Sequence, residues 1–375
     1  MRRWALLFVL AWAVACVPDG DRRDPRLRGG TRPDAGAIEV DGGAGIDGGA
    51  TEVDAGAADG GAGCGDQVCG GDETCTSCPG DCGPCACPAG FMLHQGRCAP
   101  EAPEPFVSRA EAEVCDRWGR DWVDSGGTEW EATFGSNDMC DPGTVSEGAH
   151  ANAIKRTNLY RWLAGLGPVS EEPGRRSVQQ ACAVVQYGMG TLSHGPPTDA
   201  PCYSAEGAQG AGSSNLAQAG GGLARSVDLY VGDGNVESLG HRRWVLNPSM
   251  VSTTFGYKPP FSCMYAFSSG QNTPADLQAW PPPGYVPASA AAGWWSLRVE
   301  SRSFVAETTT VELDIDAGGF VPVDSWVVGG GYGAGPVLAW DPPAGTWRAG
   351  RTVRVRLRNA AGETLSYTVV FTGCA

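Results

Sequence analysis

Fifteen cysteines constrain this 375-residue chain more than any other feature. Eight of them crowd into one stretch, at Cys64, Cys69, Cys75, Cys78, Cys82, Cys85, Cys87 and Cys98, with Gly, Asp and Pro between them. A segment so poor in apolar side chains cannot bury a core of its own and needs covalent staples. Thiols at this density belong in an oxidising compartment unless they hold metal. Cys75-x-x-Cys78 and Cys82-x-x-Cys85 have a zinc-like look, but only three residues separate them, so four disulfides are the favoured reading, with their connectivity open.

The start of the chain supplies the route to such a compartment. Arg2 and Arg3 precede an apolar run from Trp4 to Ala15 that is too short to span a bilayer and ends in the small residues Ala13-Val14-Ala15 before Cys16. This is a secretory signal over residues 1–16. Its end resembles the lipobox of bacterial lipoproteins, which implies acylation of Cys16 and membrane attachment through that lipid. Setting Cys16 aside leaves fourteen cysteines, an even number that suits disulfides elsewhere. Val17 is not an acidic retention signal, so the expected location is the outer membrane or cell surface.

Residues 17–63 are dominated by Gly, Ala and Asp and contain no aromatic residue and no cysteine, which is the composition of a disordered linker. As a Gly-rich coil it would hold the remainder about 35 to 40 Å from its anchor. The stapled segment covers 64–100, and folded composition begins near Pro105. The formal charge of -15 is spread along the chain, +2 in the signal, -5 in the linker, -3 in the stapled segment and -9 beyond it. It excludes non-specific nucleic-acid binding, which needs basic clusters to displace counterions.

Three stretches in the centre read as helical. His150 to Leu166 places Ile154, Trp162 and Leu166 at helical spacing, with Leu159 and Leu163 beside them and Lys155, Arg156 and Arg161 outside the stripe. Gly165 to Pro168 supplies the stop. Ser177 to Met189 carries Val178, Cys182, Val185 and Met189 on one face and leads into Leu192-Ser193-His194, and Leu223 to Val231 leads into Gly240-His241-Arg242-Arg243-Trp244. Stacking of Arg on Trp244 is the economical reading of that basic pair.

Asn158-x-x-Arg161-x-x-x-Gly165-Leu166-x-x-Val169, Leu192-Ser193-His194, Asn215-Leu216-Ala217, Gly240-His241-Arg242 and Phe255-Gly256-Tyr257 resemble, in order and spacing, the CAP superfamily of cysteine-rich secretory proteins, antigen 5 and pathogenesis-related proteins of class 1, in its secreted bacterial form. The match covers about residues 145 to 260. It implies an α-β-α sandwich with a groove lined by two histidines and acidic residues, and it puts His194 and His241 in that groove, able to hold a divalent cation such as zinc or to act in acid/base steps. The family's Gly-Glu-Asn reads Gly212-Ser213-Ser214-Asn215 here, so one groove carboxylate is missing. Asp228 is the nearest counterpart of the second acidic position, with Asp233, Glu237 and Glu206 also within reach of the groove. Asn158, Arg161, Asn215, Gly240 and Arg242 are read as motif residues that stabilise the fold.

Trp280-Pro281-Pro282-Pro283-Gly284 cannot continue a helix or a central strand and marks a junction. Beyond it the chain alternates apolar and polar residues, most clearly in Thr352 to Arg358 and Leu365 to Phe371, which read as a hairpin with Val353, Val355 and Leu357 inward and Arg354, Arg356 and Arg358 outward. The expected fold is therefore α+β: a CAP-like α-β-α sandwich over 105–285, then an all-β immunoglobulin-like sandwich over 286–375. The six remaining cysteines invite the pairings Cys115 with Cys140, Cys182 with Cys202, and Cys263 with Cys374.

The leading functional expectation is an exported, lipid-anchored protein that binds a lipid or cell-envelope ligand in the two-histidine groove. The alternatives are a metal-assisted hydrolase or protease using His194 and His241, with Asp228 or Glu237 as acidic partner, and a structural or adhesive surface protein with a vestigial groove. The chain contains no Gly-x-Ser-x-Gly elbow and no His-Glu-x-x-His helix.

Overall fold

A computed structural model describes residues 109–375 apart from 124, 127–130, 235, 271–277, 299–307, 334 and 375, together with the backbone of two short strands, β1 (Phe91–His94) and β2 (Arg97–Pro100), which pair antiparallel. The expected secretory signal with Cys16, the expected linker over 17–63, Trp130 and the expected stapled segment apart from that strand pair lie outside the described residues. The fold is α+β. In chain order it comprises α1 (Glu111–Trp118), the short pair β3 (Ala132–Thr133) and β4 (Thr144–Val145), α2 (Glu147–Leu163), β5 (Ser170–Glu171), α3 (Arg176–Met189), α4 (Ala205–Gly212), β6 (Ser214–Gln218), α5 (Leu223–Gly232), α6 (Gly240–Val245), β7 (Ser252–Thr253), β8 (Phe255–Lys258) and β9 (Phe261–Tyr265). Nine strands follow: β10 (Gln278–Trp280), β11 (Gly284–Pro287), β12 (Trp295–Arg298), β13 (Thr310–Ile315), β14 (Phe320–Val323), β15 (Ser325–Val328), β16 (Val337–Trp340), β17 (Thr352–Arg358) and β18 (Thr364–Thr372).

In the first half, β6, β9 and β8 form an antiparallel sheet in that spatial order. Strand alternation divides its side chains between two cores. Leu216, Phe261 and Cys263 pack with Cys182 and Ala183 of α3, while Ala217, Phe255, Tyr257 and Met264 join Leu159 and Leu163 of α2 and Val227 and Tyr230 of α5. Helices thus lie against both faces. The approach of α3 is close enough to require glycine: a Cβ on Gly256 would stand 1.9 Å from the Gln179 carbonyl oxygen.

Helix α2 begins at Ser146, whose hydroxyl accepts from the Ala149 N–H at 3.1 Å, and it stops at Gly165, which holds the left-handed conformation at φ +74°. The expected stripe is only partly right. Arg156 and Arg161 are buried, whereas Ile154 and Trp162 are half-buried, because the helix is covered from several sides rather than along one face. Arg161 offsets its burial by donating to the carbonyls of Gly167, Val245, Asn247 and Met250 at 2.8 to 3.2 Å, and Asn158 exchanges bonds with both backbone groups of Val169. Burial pulls the Arg161 guanidinium down to about 10.

The second half contains two sheets, ordered β10-β12-β16-β15 and β11-β18-β17-β13-β14. The proline run joins the edge strands β10 and β11 of these two sheets, where missing N–H donors disturb a ladder least. Trp295 of β12 meets Trp340 of β16 and reaches Phe371 of β18 with ring centroids 5.7 Å apart, so the aromatic core spans both sheets. Val353, Val355 and Leu357 are fully buried, as the period-two pattern predicts. The outward Arg row is ion-paired, Arg354 with Asp314 and Arg356 with Glu312. The two halves belong to one compact unit and share one continuous core, in which Tyr160 of α2 meets Trp280 of β10 at 5.7 Å.

All six remaining cysteines are bonded, but none of the three expected pairings occurs. The bonds are Cys115–Cys374, Cys140–Cys202 and Cys182–Cys263. Short intervening loops suggested the first two and a pinned chain end the third; topology decides. The C-terminal strand arrives beside α1, where the Thr372 hydroxyl donates to Glu111 at 2.8 Å, and α3 lays Cys182 across the strand that carries Cys263. Among the described residues no helix is long and apolar enough to cross a membrane.

Candidate functional site

The site is built where α5 ends and α6 begins. Asp233 follows α5 in the left-handed conformation, at φ 45°, which turns its side chain back toward the start of α6. There its Oδ1 accepts from Nδ1 of His241 at 2.8 Å and its Oδ2 accepts the Arg242 N–H at 3.1 Å, one of the donors that a helix start leaves unpaired. The carboxylate is fully buried. Because an ionised carboxylate only accepts, the neutral form of His241 carries its proton on Nδ1 and presents Nε2 as an acceptor. The Asn215 amide donates to the His241 carbonyl at 3.0 Å, and Tyr230 stacks on the imidazole with centroids 5.9 Å apart. The Tyr230 hydroxyl, bonded to Ser262, is pushed above its ordinary range by burial.

Arg242 locks the same junction from below. It donates to the carbonyls of Val231 and Gly232 at the end of α5 and to Trp294 in the second half, and burial draws it down to about 10 despite the nearby Asp233. Arg243 lies over Tyr332, not Trp244, and donates to the carbonyls of Gly329 and Gly335. The expected Arg–Trp stack is therefore replaced by a tie to the later loop. Gly240 leaves room for the Tyr332 ring, which a Cβ would meet at 3.1 Å.

His241 opens onto a cavity of about 510 Å³. Its walls come from Trp122, Tyr160 of α2, Leu216 of β6, Leu229 of α5 and the segment around Ser289 and Ala292. Asp228 also lines it but is saturated: it accepts from Arg156 at 2.6 Å, Tyr160 at 2.8 Å, Arg225 at 3.1 Å and the Trp122 indole at 3.2 Å. Burial, with the Asp228 charge beside it, holds the Tyr160 hydroxyl well above its usual range. Asp228 is thus a structural knot in the wall, and Asp233 is the acidic partner of the histidine.

The other candidates fall elsewhere. His194 is not on the cavity wall; its Nδ1 donates to the Ala211 carbonyl at 2.9 Å, and burial, opposed by that bond and assisted by His241, lowers its pKa. Its loop is fixed by Gln186, which exchanges two bonds with Ser193. Glu206 accepts from Ser177 at an exposed position, and Glu237 contributes a carbonyl to Trp326 without lining the cavity. The described residues do not supply a complete zinc ligand set. Among them no three His, Cys, Asp or Glu side chains gather as a ligand set, and Asp228 and Asp233 are committed to other groups. The Nδ1 bonds of the two imidazoles do not count against a metal, since they leave Nε2 as the coordinating nitrogen.

Sequence reasoning missed the aromatic wall. Trp122, Tyr160 and Tyr230 carry no local mark that separates cavity lining from core, and Ser289 lies far along the chain. No protein-family model, no curated protein and no solved structure matches this chain.

Proposed function

We propose that the protein is an exported, lipid-anchored component of the bacterial cell envelope, in which a CAP-like α-β-α domain joined to an immunoglobulin-like sandwich binds an amphipathic lipid or envelope ligand. The supporting observation is the cavity beside His241: a mainly apolar wall with Trp122, Tyr160, Leu216 and Leu229, on which the oriented His241 stands together with the polar groups of Gln218, Arg225 and Ser289, while Asp228 and Asp233 are tied up within the wall. Such a lining suits a ligand with an apolar body and a hydroxyl or amine donor, because few fixed polar groups in an apolar pocket set orientation. The anchor rests on Cys16, and Cys16→Ser should release the protein from membranes; unchanged retention would remove that part of the reading.

Binding is tested on the full chain by displacement of a fluorescent fatty acid and by mass spectrometry of co-purified lipid. Ala292→Trp, placed at an exposed point of the wall, should block the cavity and abolish binding. His241→Ala should weaken it by about 5- to 100-fold, the worth of one buried hydrogen bond. Binding untouched by both would leave a structural or adhesive role.

The Asp233–His241 pair favours one second reading. An imidazole held by a buried carboxylate and lining a cavity is arranged to take a proton from water as a general base. Hydrolysis of a p-nitrophenyl acyl ester that disappears in His241→Gln while ligand binding persists would select it over simple binding.

A further inference from the structure

A second pocket, of about 620 Å³, opens on the other side of the α/β half, between the loop after β3, the end of α3 and the turn after β8. Three bulky apolar side chains stand exposed around it: Phe134 at 40%, Met139 at 47% and Tyr187 at 37%. Exposed aromatics on a floppy loop would mean little, but this loop is heavily braced. The Asp141 carboxylate accepts from the N–H groups of Ser136 and Gly143 at 2.7 and 2.8 Å, and Cys140 is bonded to Cys202. Lys258 sends its buried ammonium to the Asp141 carbonyl at 2.6 Å, with the rings of Phe134 and Tyr187 at 4.1 and 4.8 Å from Nζ. The apolar faces are therefore held in place before any ligand arrives, which removes much of the ordering cost of binding.

The polar groups on the same rim decide the ligand class. Asn137 makes no hydrogen bond among the described residues, and Asp138 spends only Oδ1, on the Cys140 N–H at 2.9 Å. Asp141 and Asp138 both act on the Lys258 charge, so the one cation is already balanced and the pocket offers an anion no net attraction. Planar amide and carboxylate groups beside fixed ring faces match a neutral ligand with hydroxyls around its edge and C–H bonds on its flat faces. We propose that this pocket is a carbohydrate-binding subsite for a neutral pyranose chain with equatorial hydroxyls, separate from the cavity beside His241.

The probes are cellotetraose and tetra-N-acetylchitotetraose, titrated against the full chain with saturation-transfer NMR and calorimetry. At least one should bind with a dissociation constant near or below about 1 mM. Tyr187→Ala and Asn137→Ala should each weaken it by about tenfold, and Asn137, exposed and without a hydrogen-bond partner among the described residues, can be changed with little effect on the fold. Ala292→Trp should leave sugar binding unaltered, which separates this subsite from the cavity. No binding of either sugar at that concentration would overturn the proposal. So would binding that ignores both variants, or displacement of the sugar by the fluorescent fatty acid in the Ala292→Trp background.

Discussion

Replacing Asp233 offers the sharpest check on the geometry beside His241. In Asp233→Ala two buried donors, His241 Nδ1–H and the Arg242 N–H, lose their acceptor at once. Each orphaned donor costs about 1 to 3 kcal/mol, so the variant should lose about 2 to 6 kcal/mol, a large share of what holds an ordinary domain together. Asp233→Asn behaves differently because its amide keeps one accepting atom and gains one donating atom. The oxygen stays with the Arg242 N–H, and the NH₂ group faces the imidazole, which can satisfy it only by moving its proton to Nε2. The cost should be about 1 to 2 kcal/mol, the difference between a charge-assisted bond and a neutral one. The cavity would then be offered a donor where it had an acceptor. Denaturant titration of the full chain under oxidising conditions measures the two costs, and ¹⁵N NMR of the imidazole reports the tautomer. Equal destabilisation by Ala and Asn, or a proton that stays on Nδ1 in the Asn variant, would refute the reasoning.

Other consequences are as direct. Cys115→Ser with Cys374→Ser opens a link spanning 259 residues and should cost up to about 5.6 kcal/mol by the loop-entropy relation, seen as a lower denaturation midpoint. Gly256→Ala must push α3 off the sheet and should cost about 3 kcal/mol or more; a thermal scan within a degree of the parent would contradict the packing described. His150 and His194 both sit below the ordinary value of 6.5 because burial disfavours their charged forms. The unfolded chain therefore takes up their protons first, so stability present above pH about 6.5 should fall as pH drops through their lowered values. Melting measured between pH 7 and 5 should show that slope, and His150→Gln with His194→Gln should flatten it.

What the amino-acid pattern disclosed was periodic or punctuated. Val353, Val355 and Leu357 alternate because one face of β17 is buried, and Gly165 halts α2 because it alone takes φ +74° without strain. What it concealed depends on partners distant in the chain. Arg156 read only as lying outside the apolar stripe, since nothing local shows that Asp228 will receive it, and Arg161 read as a fold-stabilising residue whose partners, the carbonyls of Val245 and Asn247, nothing local names. The disulfide pairing was hidden for the same reason. His241 stood out by its motif, but its hydrogen-bond partner, Asp233, was one acidic residue among four until the left-handed turn brought it to Nδ1 of the ring.

The Cys115–Cys374 bond has a mechanical consequence. It closes nearly the whole described protein into a covalent ring, with Cα atoms only 4.9 Å apart at the clasp. A pull applied before Cys115 and after Cys374 runs through two sulfur atoms and bypasses every strand and helix between them. A single protease cut inside the ring opens it without releasing a fragment. Force spectroscopy through those two points should show no unfolding of the enclosed residues until a reductant is added.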